Sequence, residues 1–378
     1  MDSTDKKSPG NSSAKPIRIN EAPRPLVFKG RGTVSNSVGR FEHLERVEDD
    51  DGWGNLDLEQ SGRTTEVIID STRSIINYND SPDISFDRSI NPYRGCEHGC
   101  TYCFARPTHT YLGYSAGLDF ESKILIKLEA AQLLSKELAK ASYRCAPIAM
   151  GTNTDPYQPL ERKYQITRGI LQVLAEHNHP VTIVTKSALI ERDIDILAPM
   201  AALQLARVFI SVTTLNKDLC RTLEPRATAP HRRLQTIQAL HDAGIPVGVM
   251  TAPIMPVLTD TEMESILQAA KDAGASSAGY VLLRLPLEVA PLFEEWLKQY
   301  YPLKAEHVMS IVKQSRGGKA YDATFHQRMR GSGLFADMIA QRFKLATRKL
   351  GLNLERAPLR TNLFSQPIVA KPQMSLFD

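Results

Sequence analysis

Cys96, Cys100 and Cys103 lie in one short run with the spacing C-x3-C-x2-C. This spacing lets three thiolates converge from a tight loop on a single iron-sulfur cube, and it leaves the fourth iron without a protein ligand. Gly95 and Gly99 suit such a loop because glycine adopts backbone angles that other residues avoid. The run therefore predicts a cluster with one iron open for chemistry.

A structural zinc ion is the alternative interpretation of the same cysteines. Together with His98 or His109 they would make a Cys3His ligand set. Structural zinc sites usually combine C-x2-C pairs from two separate segments, and this chain has no second pair. The spacing therefore favours the iron-sulfur cluster, with zinc as the competing hypothesis.

The composition predicts a globular protein of a reducing compartment. The chain has 378 residues, of which 42% are hydrophobic, enough for a sizeable core. Its five cysteines are an odd number, which argues against a disulfide framework. Residues 1–7 lack the apolar core of a secretion signal, and no apolar run is long enough to span a bilayer. We therefore expect a cytoplasmic protein with no membrane partner.

The pattern along the chain divides it into four parts. Residues 1–65 are rich in Ser, Gly, Asn, Pro and charge, which predicts a disordered or irregular extension, with the first 20 or so disordered. Within it, the stretch 28–41 is expected to pack as an irregular segment. Residues 66–300 form the predicted core, residues 301–355 a helical region, and residues 356–378 a flexible tail.

Short β-prone runs alternate with stretches of helical period through the core, which predicts an α/β fold with a parallel sheet. The predicted strands are 84–90, 148–152, 181–186, 207–213, 246–251 and 279–283. The predicted helices are 122–141, 165–176, 230–243, 260–273 and 289–300, of which 122–141 has the clearest period. Gly244 stands where a glycine commonly ends a helix.

The cysteine run resembles the signature of the radical S-adenosylmethionine (radical SAM) superfamily, in which an aromatic residue precedes the third cysteine, as Tyr102 does here. The resemblance implies an incomplete (β/α)6 TIM-like barrel and two cofactors, a [4Fe-4S] cluster and S-adenosylmethionine. In that family the open iron is chelated by S-adenosylmethionine, which is cleaved with one electron to a 5′-deoxyadenosyl radical. It further implies a reducing electron donor as a partner, and a place for Tyr102 beside the adenine.

Polar residues at the ends of the predicted strands are the candidates for binding the rest of the cofactor, because functional groups of parallel barrels collect at the carboxyl ends of strands. Thr152, Asn153 and Asp155 would accept hydrogen bonds from the cofactor ammonium group. Lys186 would complement its carboxylate. The alternatives are a turn stabilised by Asn and Asp side chains for the first group, and a solvated loop for the lysine.

Ser211 is the candidate on the fourth strand. Strand alternation puts Ser211 and Thr213 on the face opposite Ile210 and Val212. If that face is the barrel interior, Ser211 reaches the ribose or sulfonium side of the cofactor.

The segments 154–159, 184–187 and 210–213 look like the spore photoproduct lyase branch of the superfamily, over roughly residues 85 to 285. Members of that branch reverse a thymine dimer in DNA, which implies DNA as a partner and a lyase role in repair. Two departures argue against the same hydrogen relay: Phe104 replaces a tyrosine, and the stretch 150–152 lacks a cysteine. Cys145 and Cys220 are predicted to be small buried hydrophobes.

Outside the predicted core, basic residues and a short motif indicate nucleic acid as a partner. Net charge is only +4, with 46 basic and 42 acidic side chains, so local clusters must carry the argument. The glycine-containing loops 315–319 and 328–333 would follow a phosphate backbone beside Tyr321 and Phe325, or would simply be solvated. A second basic set supports the argument if it shares their face; it comprises Arg221, Arg226, Arg232 and Arg233.

The tail carries the last candidate interaction. Gln373 to Phe377 resembles the Q-L-S/D-L-F peptide by which bacterial repair and replication proteins bind the sliding clamp. The alternative is an apolar tail that folds back on its own domain. The sequence thus favours a radical SAM enzyme acting on nucleic acid; the alternatives are a protein or small-molecule substrate, or a non-catalytic iron-sulfur or zinc module.

Overall fold

The computed structural model describes residues 30–33, 35–37, 39–41, 64–354 and 357–367. The expectations for the first 20 residues and for the peptide Gln373 to Phe377 lie outside these ranges. Within them, no helix is long and apolar enough to cross a membrane.

The strands come from two sheets. In chain order they are β1 (Glu66–Ile69), β2 (Ile76–Tyr78), β3 (Arg88–Ile90), β4 (Tyr93–Arg94), β5 (Lys123–Ile126), β6 (Ile148–Met150), β7 (Val181–Thr185), β8 (Ala206–Ser211), β9 (Val247–Ile254) and β10 (Ser277–Leu282). The large sheet has the order β10-β9-β8-β7-β6-β3-β2, and the small one the order β1-β5-β4.

The large sheet confirms the predicted α/β architecture. Strands β3, β6, β7, β8, β9 and β10 pair in parallel, and only β2 is antiparallel to its neighbour β3. Each of the six predicted strands overlaps one of the six parallel strands. In the described ranges β10 and β2 are the two edges of the sheet, so the barrel is open, as the family resemblance implied.

Helices follow the strands along the chain. They are α1 (Leu118–Ser122), α2 (Ala130–Leu138), α3 (Glu161–Tyr164), α4 (Ile166–Glu176), α5 (Ile194–Ala202), α6 (Lys217–Leu223), α7 (Pro230–Asp242), α8 (Met263–Asp272), α9 (Val289–Tyr300), α10 (Ala305–Gln314) and α11 (Leu334–Lys349). Helices α4, α7, α8 and α9 agree with the predictions. Gly244 follows α7 with φ of 74°, and its N–H donates to the carbonyl of His241, as expected of a helix-ending glycine.

The prediction of one helix over 122–141 is wrong. Lys123–Ile126 is strand β5, and the helix begins only at Ala130. Ile124 and Ile126 are buried while Lys123 and Leu125 are partly exposed, an alternation of period two. Strand β5 pairs with β1 and β4. Its partner β1 is remote in sequence, so no local pattern indicated the pairing. The helical period of the residues after β5 therefore extended the predicted helix backwards over the strand.

The core lies between the sheet and its helices. The residues that alternate inward along β6, β7, β8 and β9 have no more than 1% exposure; they are Ile148, Met150, Val181, Ile183, Val208, Ile210, Val247 and Val249. This packing holds the parallel strands in register, so that the loops after them open at one end of the barrel.

Candidate cofactor site

The cysteine loop follows β3 and β4 and turns tightly at two glycines. Gly95 and Gly99 have φ of 83° and 66°. A side chain on Gly95 would lie 2.8 Å from the carbonyl oxygen of Phe120, so the loop needs glycine there for space as well as for angle. The amide of Cys96 donates to that same carbonyl at 3.0 Å. These contacts seat the loop on helix α1.

The three cysteines of the loop are free thiols that pack near one another, and their convergence on one cluster stays a prediction. Cys96 and Cys100 are buried, Cys103 is partly exposed, and none forms a disulfide. Cys103 packs against both apolar groups to which the other two belong. Burial raises the pKa of Cys100 and of Cys103, while Lys186 and Arg106 respectively oppose that rise. Free thiols beside cations suit a group that binds thiolates and releases their protons.

Both histidines of the zinc alternative have a protein partner through one ring nitrogen. His98 pairs through Nδ1 with Asp155 at 3.3 Å, and Nε2 of His109 lies 2.9 Å from the carbonyl oxygen of Lys123. In the part of the chain that the structure describes, no three side chains of His, Cys, Asp or Glu close around one ion position. Three free cysteines on one loop are the donor set of a cube that keeps one iron open.

Asp155 joins the loop to two strand ends. Its carboxylate accepts hydrogen bonds from Thr185 Oγ1 at 2.7 Å, from the amide of Lys186 at 2.8 Å and from the amide of Tyr157 at 2.9 Å. Burial raises the pKa of Asp155, but the paired His98 outweighs it and the net result is a pKa of about 2. Because its oxygens already have these partners, the structure gives Asp155 a positioning role, and its contact with a cofactor stays a prediction.

Thr152 and Asn153 both contact Asn91, a residue that the sequence pattern did not single out. The side-chain oxygen of Asn91, just after β3, accepts from Thr152 Oγ1 at 3.1 Å and from the amide of Asn153 at 2.9 Å. The side chain of Asn153 itself is exposed. A polar residue directly after the first core strand was the signal for Asn91. These hydrogen bonds fix the predicted turn at the end of the barrel that carries the cysteine loop. They leave the side chain of Asn153 accessible to a ligand.

Tyr102 is held by a buried carboxylate, Glu224. The hydroxyl of Tyr102 donates a hydrogen bond to the carboxylate of Glu224. The same carboxylate accepts a hydrogen bond from Thr213 at 2.7 Å and forms an ion pair with Arg233 at 2.5 Å. Burial raises the pKa of Glu224, yet Arg233 and Lys186 bring it to about 2. Glu224 is remote from the cysteines in sequence and has no local motif, so only the fold reveals it.

Lys186 lies at the end of β7, beside the ring of Tyr102. Its ammonium nitrogen is 5.9 Å from the ring centroid. Burial lowers the pKa of Lys186, but Cys100 and Glu224 outweigh it and raise the net value. The lysine is therefore charged and adjacent to the cluster loop, rather than in a solvated loop. Ser211, at the end of β8, is buried, and its carbonyl accepts from Arg233 at 3.0 Å.

Most of the predicted phosphate ligands already have protein partners. Arg316 is buried and donates to the carbonyls of Gln327, Arg328, Leu282 and Leu283. Arg328 pairs with Asp83 at 2.5 Å. The second basic set is paired throughout: Arg221 with Asp218, Arg226 with Glu97, Arg232 with Glu191 and Arg233 with Glu224. Binding of these cations to phosphate stays a prediction.

The two remaining cysteines differ from one another. Cys220 is buried as predicted, with its sulfur 3.7 Å from Glu224. Cys145 is only partly buried and precedes β6, at the amino end of that strand. Burial raises the pKa of Cys145 to about 11 and that of Cys220 to about 12.

An N-terminal strap, residues 30–33, 35–37 and 39–41, covers the cysteine loop. The amides of Gly32 and Thr33 donate to the carboxylate of Glu121 at 2.9 and 3.1 Å, and Arg106 pairs with the same carboxylate at 2.5 Å. A side chain on Gly32 would lie 1.7 Å from the carbonyl oxygen of Gly99. The strap agrees with the predicted irregular segment, but the sequence did not reveal its place over the loop.

An open barrel of six parallel strands with a three-cysteine loop after the first defines a class of cluster-binding domains. The family model of the radical SAM superfamily matches residues 90–270. Residues 90–270 are thus similar to a radical SAM domain. The family implies a [4Fe-4S] cluster, which Cys96, Cys100 and Cys103 would hold, and S-adenosylmethionine.

The chain is also similar to curated proteins and to solved structures. An uncharacterized protein of Mycobacterium tuberculosis is 37% identical over 58% of this chain, which spans 65% of that relative's length. An uncharacterized protein of Methanocaldococcus jannaschii is 26% identical over 68% of this chain and 90% of its own. Spore photoproduct lyase in complex with dinucleoside spore photoproduct matches with a TM-score of 0.54 and 15% identity, over 76% of this chain and 80% of that one. The last comparison shows a shared fold.

Proposed function

We propose that this protein is a radical SAM enzyme that acts on nucleic acid. The observation that carries the proposal is the placement of three free cysteines on one tight loop, with the ammonium group of Lys186 5.9 Å from the ring of Tyr102 in that loop. When bound, the cluster and S-adenosylmethionine supply a 5′-deoxyadenosyl radical for abstracting hydrogen. The chain supplies binding, orientation and shielding.

Three side chains have the chemistry to hold the cofactor. Lys186 offers a charged donor to a carboxylate. Tyr102, fixed through its hydroxyl by Glu224, offers an immobile ring to the adenine. Asn153 offers an exposed amide oxygen to an ammonium group. Each belongs to the cluster loop or to a loop that follows a parallel strand, where ligands of barrel folds collect.

Two observations support nucleic acid as the substrate class. The fold is that of spore photoproduct lyase, which has been solved with a dinucleoside photoproduct. Two arginine–aromatic pairs, Arg284 with Phe104 and Arg328 with Phe325, lie at 3.8 and 4.9 Å from guanidinium carbon to ring centroid. Bases stack on such surfaces regardless of sequence. Phe104 has no hydroxyl, and Cys145 lies at the amino end of β6, so we propose a hydrogen relay different from that of the lyase.

Anaerobic reconstitution tests the proposal. The purified chain should take up about four irons with sulfide and release 5′-deoxyadenosine on reduction with S-adenosylmethionine. Cys103→Ser should abolish that release, and Cys145→Ser is the matched control that should retain it. An intact cluster that yields no 5′-deoxyadenosine would refute the proposed enzymatic activity. Bound zinc without sulfide would instead establish a non-catalytic zinc module.

The substrate class is tested in the same assay. Ultraviolet-damaged DNA, undamaged DNA, RNA and a peptide mixture are supplied in parallel, and the rate of 5′-deoxyadenosine formation is compared. Acceleration by DNA or RNA supports the proposal. Acceleration by peptides alone would assign the enzyme to protein modification instead.

A sliding clamp is the proposed protein partner, on the strength of the motif Gln373 to Phe377. Insertion of two adjacent apolar side chains into a pocket is a common mode of peptide recognition. A bacterial clamp should retain the full chain, and Phe377→Ala should abolish retention. Equal retention of both forms would remove this partner.

A further inference from the structure

Arg284 lies beside the cysteine loop on the side of Phe104. It follows the last parallel strand, β10, and its guanidinium carbon is 3.8 Å from the ring centroid of Phe104. Phe104 directly follows Cys103, so the arginine lies next to the cluster loop. Tyr102 and Phe104 thus flank one cluster cysteine, and each has a cation on its ring, Lys186 and Arg284 respectively.

Among the residues that the structure describes, Arg284 differs from Arg316 and Arg328 in having no carboxylate or carbonyl within bonding distance. Arg316 donates to four backbone carbonyls, and Arg328 is paired with Asp83. Among the described residues, the ring of Phe104 is the direct partner found for Arg284, and no carboxylate lies within ion-pair distance of its guanidinium. Burial lowers the pKa of Arg284 because it disfavours the charged guanidinium, and the like charge of the nearby Arg328 lowers that pKa as well. Tyr321, Cys103 and Asp83 oppose that shift, and Arg316 is a further charged neighbour of Arg284.

A partly buried cation without a counterion is costly unless a ligand supplies one. The planar fork of arginine matches a phosphate group with two parallel hydrogen bonds. Beside it, Phe104 remains 40% exposed and offers apolar surface to a base. A phosphate and an adjoining base are the two parts that a nucleotide presents together.

We propose that Arg284, oriented by the ring of Phe104, binds a phosphodiester of the substrate next to the cluster loop. This inference rests on the proposed action on nucleic acid and names the residue that holds the substrate backbone. Lys186 already has the carboxylate of Glu224 as a neighbour of opposite charge and is assigned to the cofactor carboxylate. The unmatched cation is thus left for the substrate.

A double-substitution cycle tests the contact directly. The reconstituted protein with S-adenosylmethionine and no reductant is titrated with the dinucleotide TpT and with its uncharged methylphosphonate analogue. Wild type should bind the phosphodiester about tenfold or more tightly than the analogue, as expected for a charge-assisted hydrogen-bonded pair. Arg284→Gln should bind both ligands with the same affinity. Arg284→Lys, which keeps the charge but loses the fork, should give an intermediate ratio.

Salt dependence provides a second readout. With a single-stranded thymidine dodecamer, Arg284→Gln should reduce the magnitude of the slope of log affinity against log salt by about 0.7, the loss of one phosphate contact. Arg221→Gln is the control, an exposed arginine paired with Asp218, and should leave the slope unchanged. Iron content and thermal unfolding of each variant show that the fold is retained.

The outcomes separate this inference from the proposed function. If wild type binds DNA and Arg284→Gln discriminates the two dinucleotides as wild type does, Arg284 does not hold the phosphate and the inference alone is refuted. A loss of affinity for S-adenosylmethionine in Arg284→Gln, with discrimination unchanged, would assign the arginine to the cofactor. If wild type binds neither dinucleotide nor dodecamer while it still forms 5′-deoxyadenosine, the nucleic-acid substrate is refuted, and this inference with it.

Discussion

Lys186 shows how one residue of this site was predictable while its surroundings were not. Its place after a β-prone run was enough to expect it at the mouth of a barrel. Its charge, however, depends on Glu224, a carboxylate from another element that also binds Tyr102 and Arg233. Contacts between side chains so far apart in sequence leave no periodic signal, so the pattern predicted the ligand residue and not the network that positions it.

Replacing Lys186 with methionine should weaken binding of S-adenosylmethionine by the reconstituted protein about tenfold or more, because a carboxylate loses its charged donor. Equilibrium titration with the cofactor measures the effect, and iron content is followed alongside. Lys163→Met is the matched control, since Lys163 also lies on an aromatic ring, at 5.0 Å from that of Tyr164, but on the exposed face of α3. Unchanged affinity in Lys186→Met would contradict this assignment.

Replacing Asp155 with asparagine should lower the free energy of unfolding by about 3 kcal/mol, because it leaves His98 as an uncompensated buried cation. Urea unfolding of the cluster-free protein measures the loss. Asp195→Asn removes a carboxylate that pairs with Arg168 at the surface and should cost less than about 1 kcal/mol. Equal losses in the two variants would mean that the buried pair does not hold the loop to the strand ends.

At the scale of elements, the parallel strands were predictable because their buried runs are nearly continuous and β-branched. Strand β5 was not, since its edge partners β1 and β4 belong to a second sheet that no local pattern indicated. Backbone contacts also join the loops that follow the strands, and the sequence pattern does not indicate these contacts either. Gly151, after β6, lies so close to β7 that a side chain on it would be 2.0 Å from the carbonyl oxygen of Val184.

Gly151→Ala should therefore destabilise the protein by roughly 2 to 5 kcal/mol, from a left-handed backbone angle and from the clash with Val184 together. Gly244→Ala is matched in backbone, with φ of 74° against 89°, but has open space around it. That control should lose only about 1 to 2 kcal/mol. Thermal or urea unfolding of both variants gives the difference, and similar losses would show that the close approach of β6 and β7 is not maintained in solution.

At the scale of the whole molecule, a C-terminal segment crosses the barrel at the end opposite the cysteine loop. Residues 357–367 bond to carbonyls that precede strands, with Arg360 donating to Gln204, Ser365 to His177 and Gln366 to Lys140. Phe364 packs edge-on against His179, with ring centroids 5.3 Å apart. The proposed clamp peptide follows this segment in sequence. If that peptide binds a partner, the segment anchors it at the end of the barrel away from the cofactor site.

His179 makes this anchor sensitive to acid. Burial lowers the pKa of His179 to about 4, below its ordinary value near 6.5. Between these values the unfolded chain binds more protons than the folded one, so stability falls as pH falls. Between pH 7 and pH 5 wild type should lose about 2 kcal/mol more than His179→Gln. His307→Gln, at an exposed histidine on α10, should behave as wild type. Urea unfolding at both pH values measures this, and parallel losses in wild type and His179→Gln would refute it.

The strap over the cysteine loop has a consequence for how the protein matures. Glu121 binds the strap through Gly32 and Thr33 and the loop side through Arg106, and Gly32 is pressed against the carbonyl of Gly99. Gly99 lies between two of the predicted cluster cysteines, so we expect the strap to shield a newly inserted cluster from air and from chelators. A chain shortened to begin after residue 41 would accept iron as readily as the full chain but surrender it faster to air or to a chelator.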